Sequence, residues 1–264
     1  MNHRQLAESI SKKAGKIIKR NFSLGMKKAW KNDNTPITVT DKKINALLLQ
    51  ETKKYFPSYS VLAEEQSRLK KSEYVWVCDP LDGTIPFSHG IPICTFSLAL
   101  VKTGQPILGV VSDPLGGRLF LAEKDKGTLL NGKRIKVSQT HKFKSAFSNC
   151  EMFETALYDI TQTIDHLRFN EGVKLTSLAS IVYSSMLVAA GEMAFAIFPH
   201  NTAHDVAAVK VIVVEAGGKV TDLFGKEQRY DKKINGAIIS NGILHERLVD
   251  LTKKTAIKNN RIKK

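Results

Sequence analysis

Apolar residues recur at helical spacing at the start of the chain. Leu6, Ile10, Ala14, Ile17 and Ile18 form the stripe, and Lys12, Lys13, Lys16, Lys19 and Arg20 fill the rest. This predicts an amphipathic helix. A second helix is predicted from about Asp41 to Phe56, with Ile44, Leu47 and Leu48 buried and Pro57 ending it. The pattern then changes. Tyr59 to Leu62 is a short strand leading into Glu64 and Glu65, and Tyr74-Val75-Trp76-Val77-Cys78 is unbroken apolar, as in a strand buried on both faces. Thr95 to Val101, Pro106 to Ser112 and Arg118 to Glu123 follow as a β-meander with Gly and Pro between the strands.

The second half mixes both periods. Helices are predicted over Glu151 to Leu167, Ser180 to Ala190, Asp205 to Ala216 and Ile243 to Lys254. Strands are predicted over Met193 to Ile197 and Ala237 to Ser240. Gly217-Gly218 supplies the flexible exit that helix C-termini favour. Such an order implies an α/β fold with sheets layered between helices. The 264 residues suit one large domain or two closely joined ones, with no internal repeat and no low-complexity linker.

Composition narrows the function classes. Apolar residues make up 42% and charged residues 25%, as in ordinary globular proteins. No apolar run approaches the roughly 18 residues of a membrane span, and the N-terminus lacks a secretory apolar block, so a cytoplasmic protein is expected. The cysteines Cys78, Cys94 and Cys150 match no zinc spacing and read as buried thiols. The net charge of +15 can draw in nucleic acid, anionic membranes or acidic small molecules. Much of it sits at the two ends, including Lys253, Lys254, Lys258, Arg261, Lys263 and Lys264. No aromatic-and-basic recognition motif accompanies it, which argues against a dedicated nucleic-acid role.

The densest chemistry lies in Asp79-Pro80-Leu81-Asp82-Gly83-Thr84, at the end of the apolar strand. Pro80 cannot donate to a ladder, so the strand is expected to stop there. Asp79 and Asp82 then lie close together at the mouth of a buried sheet. Like charges so placed repel, and a divalent cation with hard oxygen ligands relieves the conflict. An Asp-Pro turn capped by Asp82 fits the same residues. Glu64 and Glu65 offer further carboxylates at a strand end, and also fit a solvated acidic loop. Asp205 opens an apolar helix, where it could serve a metal or act as an N-cap.

Three blocks carry a resemblance: Ala63-Glu64-Glu65, the segment Asp79 to Thr84, and Asp205-Val206-Ala207-Ala208 running to Glu215-Ala216-Gly217-Gly218. Their order and separation resemble the inositol monophosphatase family, within the lithium-sensitive, magnesium-dependent phosphatase superfamily, over nearly the whole chain. The resemblance implies an α/β/α/β/α layered sandwich of the sugar phosphatase type, a single domain over residues 1–264. Its first half, about 1–140, would carry most metal ligands, and its second, about 141–264, would supply Asp205.

The resemblance also implies roles. Glu64, Asp79 and the Leu81 carbonyl would hold one Mg2+, Asp79, Asp82 and Asp205 a second, and a third looser ion would lie near Glu64. Thr84, with Glu64, would activate the attacking water, and Asp41 would support Thr84. Backbone N–H groups of Gly83 and Thr84 would hold the phosphate. Glu65 would stand behind the ligands. The partner implied is a small phosphorylated metabolite, an inositol-phosphate-like compound or a sugar phosphate; the resemblance allows a homodimer and gives no membrane role. Alternatives are a 3′(2′),5′-bisphosphate nucleotidase, a histidinol-phosphate phosphatase, or a basic nucleic-acid-associated or regulatory protein on the same fold.

The chain departs from the family around the substrate. Ile85-Pro86 replace a polar pair after Thr84, His204 stands where relatives carry Trp, and Phe198 lies where an acidic residue grips sugar hydroxyls. Phe198 and His204 are therefore the candidate substrate contacts, suited to a ring more than to a polyol. His89 and His200 read as wall residues. Lys31 to Pro36 replaces an early Lys-Ser-type motif with a polar loop that could fold over the metals.

Overall fold

The protein is described by a computed structural model that covers residues 1–25, 29–30, 36–153 and 155–259. Helix α1 (His3–Asn21) forms as its stripe demands: Leu6, Ile10, Ala14 and Ile18 are buried, while Lys12, Lys13, Lys16 and Lys19 stay exposed. Asn2 and Gln5 close a capping box at its start. A short antiparallel pair, β1 (Ala29–Trp30) and β2 (Pro36–Ile37), precedes α2 (Val39–Tyr55), which starts on the Thr38 cap. Strands β3 (Ser60–Ala63) and β4 (Tyr74–Asp82) are parallel, and the short α3 (Thr84–Ser88) follows. An antiparallel meander of β5 (Thr95–Lys102), β6 (Gln105–Asp113), β7 (Arg118–Glu123), β8 (Thr128–Leu130) and β9 (Lys133–Arg134) completes a seven-stranded sheet in chain order.

The rest of the chain gives β10 (Phe147–Cys150), β11 (Tyr158–Asp159), α4 (Thr161–Asp165) with a π-helical turn (His166–Asn170), β12 (Lys174–Thr176) and α5 (Ile181–Ala189). Then come β13 (Phe195–Phe198), α6 (Ala207–Glu215), β14 (Lys219–Thr221), β15 (Ala237–Ser240), α7 (His245–Thr255) and β16 (Ile257–Lys258). The second sheet has the order β12-β10-β13-β15-β14. Its first three strands are parallel, and β15 runs antiparallel to both neighbours.

Burial follows the alternation of side chains along strands. Trp76, Leu98, Leu100 and Val110 pack on α1 and α2, while Val75, Val77, Ala99 and Val111 pack on α5 and α6. The opposite side of α5 and α6 meets Ala196, Phe198 and Ile239 of the second sheet. That sheet's far face, with Phe195, Ile197 and Ile238, packs on Leu248 and Val249 of α7. Five layers result, as expected, and α6 is apolar on nearly every side because it lies between two sheets. Cys78, Cys94 and Cys150 are buried free thiols. No helix among the described residues is long and apolar enough to cross a membrane.

Two expectations fail. The segment from Glu151 to Leu167 is not one helix. Glu151 extends β10 by donating its N–H to Ile197 O at 3.0 Å, β11 pairs with β16, and helical turns start only at Thr161. Strand pairing satisfies these backbone groups in place of a helix. Nor does β4 stop at Pro80. The ladder with β5 shifts register between Asp79, opposite Ser97, and Asp82, opposite Thr95. This bulge sets three steps against two, so Pro80 needs no ladder partner.

The close approach of α6 to the first sheet depends on Gly109. A Cβ there would stand 2.6 Å from Val211 Cγ1 and 2.9 Å from the Ala208 carbonyl oxygen. Gly109→Ala is therefore expected to lower stability by about 1–3 kcal/mol in urea unfolding, the ordinary range for overpacking. An unchanged midpoint would show that α6 is not clamped at this point.

Candidate active site

Parallel pairing brings the first carboxylates together. Ala63 lies opposite Cys78, so the next residues, Glu64 and Asp79, emerge side by side, with Glu64 N–H donating to Cys78 O at 3.2 Å. The β4 bulge then folds the chain back. Leu81 N–H donates to Asp79 Oδ1 at 2.9 Å, and Asp82 accepts at Oδ2 from Thr95 Oγ1 at 3.2 Å and from Ser180 Oγ. Gly83 turns the chain at φ +82°; a Cβ there would lie 2.6 Å from the Ile93 carbonyl oxygen. Thr84 opens α3, whose first N–H groups have no intrahelical partners.

Asp205 arrives from the other half of the chain. It is not the cap of α6, since Val206 holds that position and no side chain caps the helix. Asp205 sits in the preceding turn, closed by Val206 and Ala207 N–H on Ala203 O at 3.1 and 2.9 Å. Its Oδ2 accepts from Thr202 Oγ1 and lies 3.8 Å from His204 Nε2.

Carboxylate oxygens of Asp79, Asp82 and Asp205 fall within 4.8 Å of one another, and those of Asp41, Glu64 and Glu65 form a second such group. Asp41 Oδ2 accepts from Thr38 N–H at 2.8 Å and Thr38 Oγ1 at 2.6 Å. Thr84 Oγ1 lies 2.8 Å from Leu81 O and 3.3 Å from Asp41 Oδ1. All these donors are oxygens, the set that suits a hard divalent cation such as magnesium.

The electrostatics follow from this crowding. Burial, then the charges of Glu64, Asp205 and Asp82, hold the Asp79 carboxyl well above its ordinary range. Burial and Asp205 push Asp82 up to about 8, against the pull of the Ser180 hydrogen bond. Burial raises Asp41 to about 6, opposed by its two bonds from Thr38. In each case burial and neighbouring negative charge disfavour the charged form.

Glu64, Asp79, Asp82 and Asp205 line a cleft of about 370 Å³, together with Phe153, Phe198, His200 and His204. The Phe198 and His200 rings stack at 4.9 Å, and Phe153 leans on His200 at 5.5 Å. Burial lowers the His200 pKa, so its ring is neutral at pH 7. Glu64, Asp79, Leu81, Asp82, Gly83, Thr84, Phe198, His200, His204 and Asp205 thus line one cleft, with Glu65 and Asp41 alongside. His89, expected as a wall residue, is exposed and stands outside it, its Nδ1 2.8 Å from Ile85 O. Residues 31–35 of the polar loop lie outside the described residues.

Sequence reasoning missed Glu151, Phe153 and Ser180, which also line the cleft. A signal for Glu151 was present. Like Glu64, it follows a short strand directly, but the helical spacing downstream masked it. Ala179, just before Ser180, holds φ +53°, a left-handed conformation that costs a non-glycine residue roughly 1 kcal/mol.

The family model for the inositol monophosphatase family matches residues 2–256. The chain belongs to the inositol monophosphatase family. A Thermotoga maritima protein named fructose-1,6-bisphosphatase/inositol-1-monophosphatase is 33% identical over 81% of this chain and 80% of its own. A Chlorobaculum parvum histidinol-phosphatase is 31% identical over 93% and 94%. Among solved structures, the Thermotoga maritima IMPase superposes with a TM-score of 0.85 at 28% identity, covering 97% of this chain and 98% of that one. As a family member the chain is a phosphatase, and the layered fold is the one its sequence implies.

Linkage sets the pH response of the metal-free protein. Asp82 and Asp41 have folded pKa values near 8 and 6, above the roughly 3.9 of an unfolded Asp. Their stabilising contribution is full below about pH 4 and is lost as pH rises through 6 and then 8. A divalent cation held by these carboxylates would replace those protons. Thermal melts should therefore show a small Mg2+ upshift at pH 5 and a larger one at pH 8. At about 100-fold excess over Kd the gain is about 2.7 kcal/mol, or about 5–10 °C. Equal shifts at both pH values would contradict the assignment of these carboxylates.

Proposed function

We propose that the chain is a magnesium-dependent phosphate monoesterase that hydrolyses a small phosphorylated metabolite by direct attack of water. The supporting observation is the convergence of Asp79, Asp82 and Asp205 within 4.8 Å, in a cleft that also holds Glu64 and Thr84. A bound magnesium pair would supply charge neutralisation of the phosphate and a more acidic water.

The chain's own residues would do the positioning. Asp79, Asp82, Asp205, Glu64 and the Leu81 carbonyl would hold the ions, with Glu65 beside them. The N–H groups of Gly83 and Thr84 would receive the phosphate, at a turn where only a glycine fits. Thr84 has one hydroxyl proton and two acceptors, Leu81 O and Asp41 Oδ1. Turning it to Asp41 would free the Leu81 carbonyl for a cation and leave the Thr84 oxygen able to accept a hydrogen bond from the attacking water. Asp41, held by Thr38, would keep the Thr84 hydroxyl oriented. No covalent phosphoenzyme is needed in this reading, because the carboxylates would be engaged as cation ligands and water would be the nucleophile.

Relatives carry names for inositol phosphate, fructose bisphosphate and histidinol phosphate hydrolysis. The Phe153, Phe198 and His200 wall favours a leaving group with a planar ring over a polyol. A second reading is accordingly histidinol phosphate or a 3′(2′),5′-bisphosphorylated nucleoside. The protein's positive charge would steer any of these anions to the cleft. A cytoplasmic location and magnesium as the resident ion belong to the same proposal.

Asp79→Asn and Asp205→Asn should each cut Mg2+-dependent phosphate release by more than about 100-fold while circular dichroism stays unchanged. Near-normal turnover by either would remove the site assignment. In the same assay, ring-bearing esters should outrun inositol phosphate and fructose bisphosphate; equal rates on all would dismiss the ring argument.

A further inference from the structure

Glu151 is a carboxylate with no exposed surface, at the end of β10. Parallel pairing explains its company. Asn149 lies opposite Thr176 on β12, so Ser177 follows that strand at the same edge, and Ser180 caps α5 three residues later. Three donors meet the carboxylate. Asn149 Nδ2 donates to Oε1 at 2.8 Å, Ser180 N–H to Oε1 at 3.4 Å, and Ser177 Oγ to Oε2 at 2.9 Å. An acceptor-only group satisfies all three; an apolar residue would orphan them in a dry site.

Ser180 is the relay. Its Oγ accepts from Tyr183 N–H at 3.2 Å, so the hydroxyl's single proton points away, to Asp82 Oδ2. Thr95 Oγ1 donates to the same oxygen. Asp82 Oδ2 is therefore pinned by two hydroxyls, neither of which engages Oδ1. Thr95 comes from β5 of the first sheet and Ser180 from the N-cap of α5. Ser180 is also preceded by strained Ala179, so its position depends on what holds its backbone.

We infer that Glu151 is a positioning residue for Asp82, acting through Ser180 to set one ligand of the candidate metal site. This rests on the metal-site reading above and assigns no contact with substrate to Glu151. The carboxylate fixes the Ser180 N–H and the Ser177 hydroxyl, and Ser180 fixes which oxygen of Asp82 is offered to the cation. Groups behind a metal ligand commonly alter affinity by about 10–100-fold when removed.

The test is Mg2+ binding by titration calorimetry on metal-free protein, without substrate, at a temperature well below unfolding. Glu151→Ala should raise the Mg2+ Kd about tenfold or more. Glu151→Gln should stay within about threefold, since its Oε1 keeps the Asn149 and Ser180 donors while Ser177 turns to accept. Ser180→Ala should weaken binding similarly, and the double variant should be no weaker than Ser180→Ala alone. A Glu151→Ala protein that melts lower but binds Mg2+ normally would reduce Glu151 to a structural role and overturn the inference. So would a Gln variant as weak as Ala, which would make Glu151 a direct ligand, or a fully additive double variant. Should Glu151→Ala not fold, Ser180→Ala decides: an unchanged Kd overturns the relay. Wild-type protein that binds Mg2+ but releases no phosphate would sink the phosphatase mechanism alone.

Discussion

Three buried carboxylates with oxygens inside 4.8 Å of one another strongly disfavour carrying charge all at once. Either protons or cations must neutralise them. Without cations, protons do so: burial and neighbouring charge raise Asp79 well above the ordinary range and Asp82 to about 8. The fold keeps this unfavourable cluster by surrounding it with directed donors. Leu81 N–H holds Asp79 Oδ1, Thr95 and Ser180 both hold Asp82 Oδ2, and Thr202 holds Asp205 Oδ2.

The same geometry is built twice. In the first sheet the parallel pair β3 and β4 ends together, delivering Glu64 and Asp79. In the second, β12, β10 and β13 end together, delivering Ser177, Glu151 and the Phe198–His200 wall. Ligand sites of parallel sheets lie at such carboxyl ends. Here two sets of ends face one cleft, and α5 and α6, packed between the sheets, carry Ser180 and Asp205 to the gap at their N-termini. Gly109 and the small residues of α6 set how close the layers come, so packing and site geometry are one problem.

Much of this was readable in residues. The apolar run to Cys78 followed by Asp79 and Asp82 announced a strand with carboxylates at its mouth, and Ala63-Glu64 announced another. The stripe of α1 and the all-round apolar α6 announced the outer and middle layers. What was not readable depended on pairing. Pro80 argued for a strand end, yet a bulge let β4 continue to Asp82. Glu151 sat at the head of a helix-like stretch, and only the hydrogen bond to Ile197 shows that it prolongs a strand. Asp205 fitted an N-cap by residue type; its place one turn earlier comes from the Ala203 turn. Local preference is shared by many conformations, whereas these choices were made by partners far away in the chain.

The central claim is that cations occupy the gap among Asp79, Asp82 and Asp205. Diffraction from crystals grown with Mn2+ in place of Mg2+ tests it directly, because manganese scatters anomalously. The account predicts an anomalous peak bounded by these three carboxylates and a second beside Glu64 and the Leu81 carbonyl. Density for manganese elsewhere, with the three side chains in direct hydrogen-bonded contact, would contradict it.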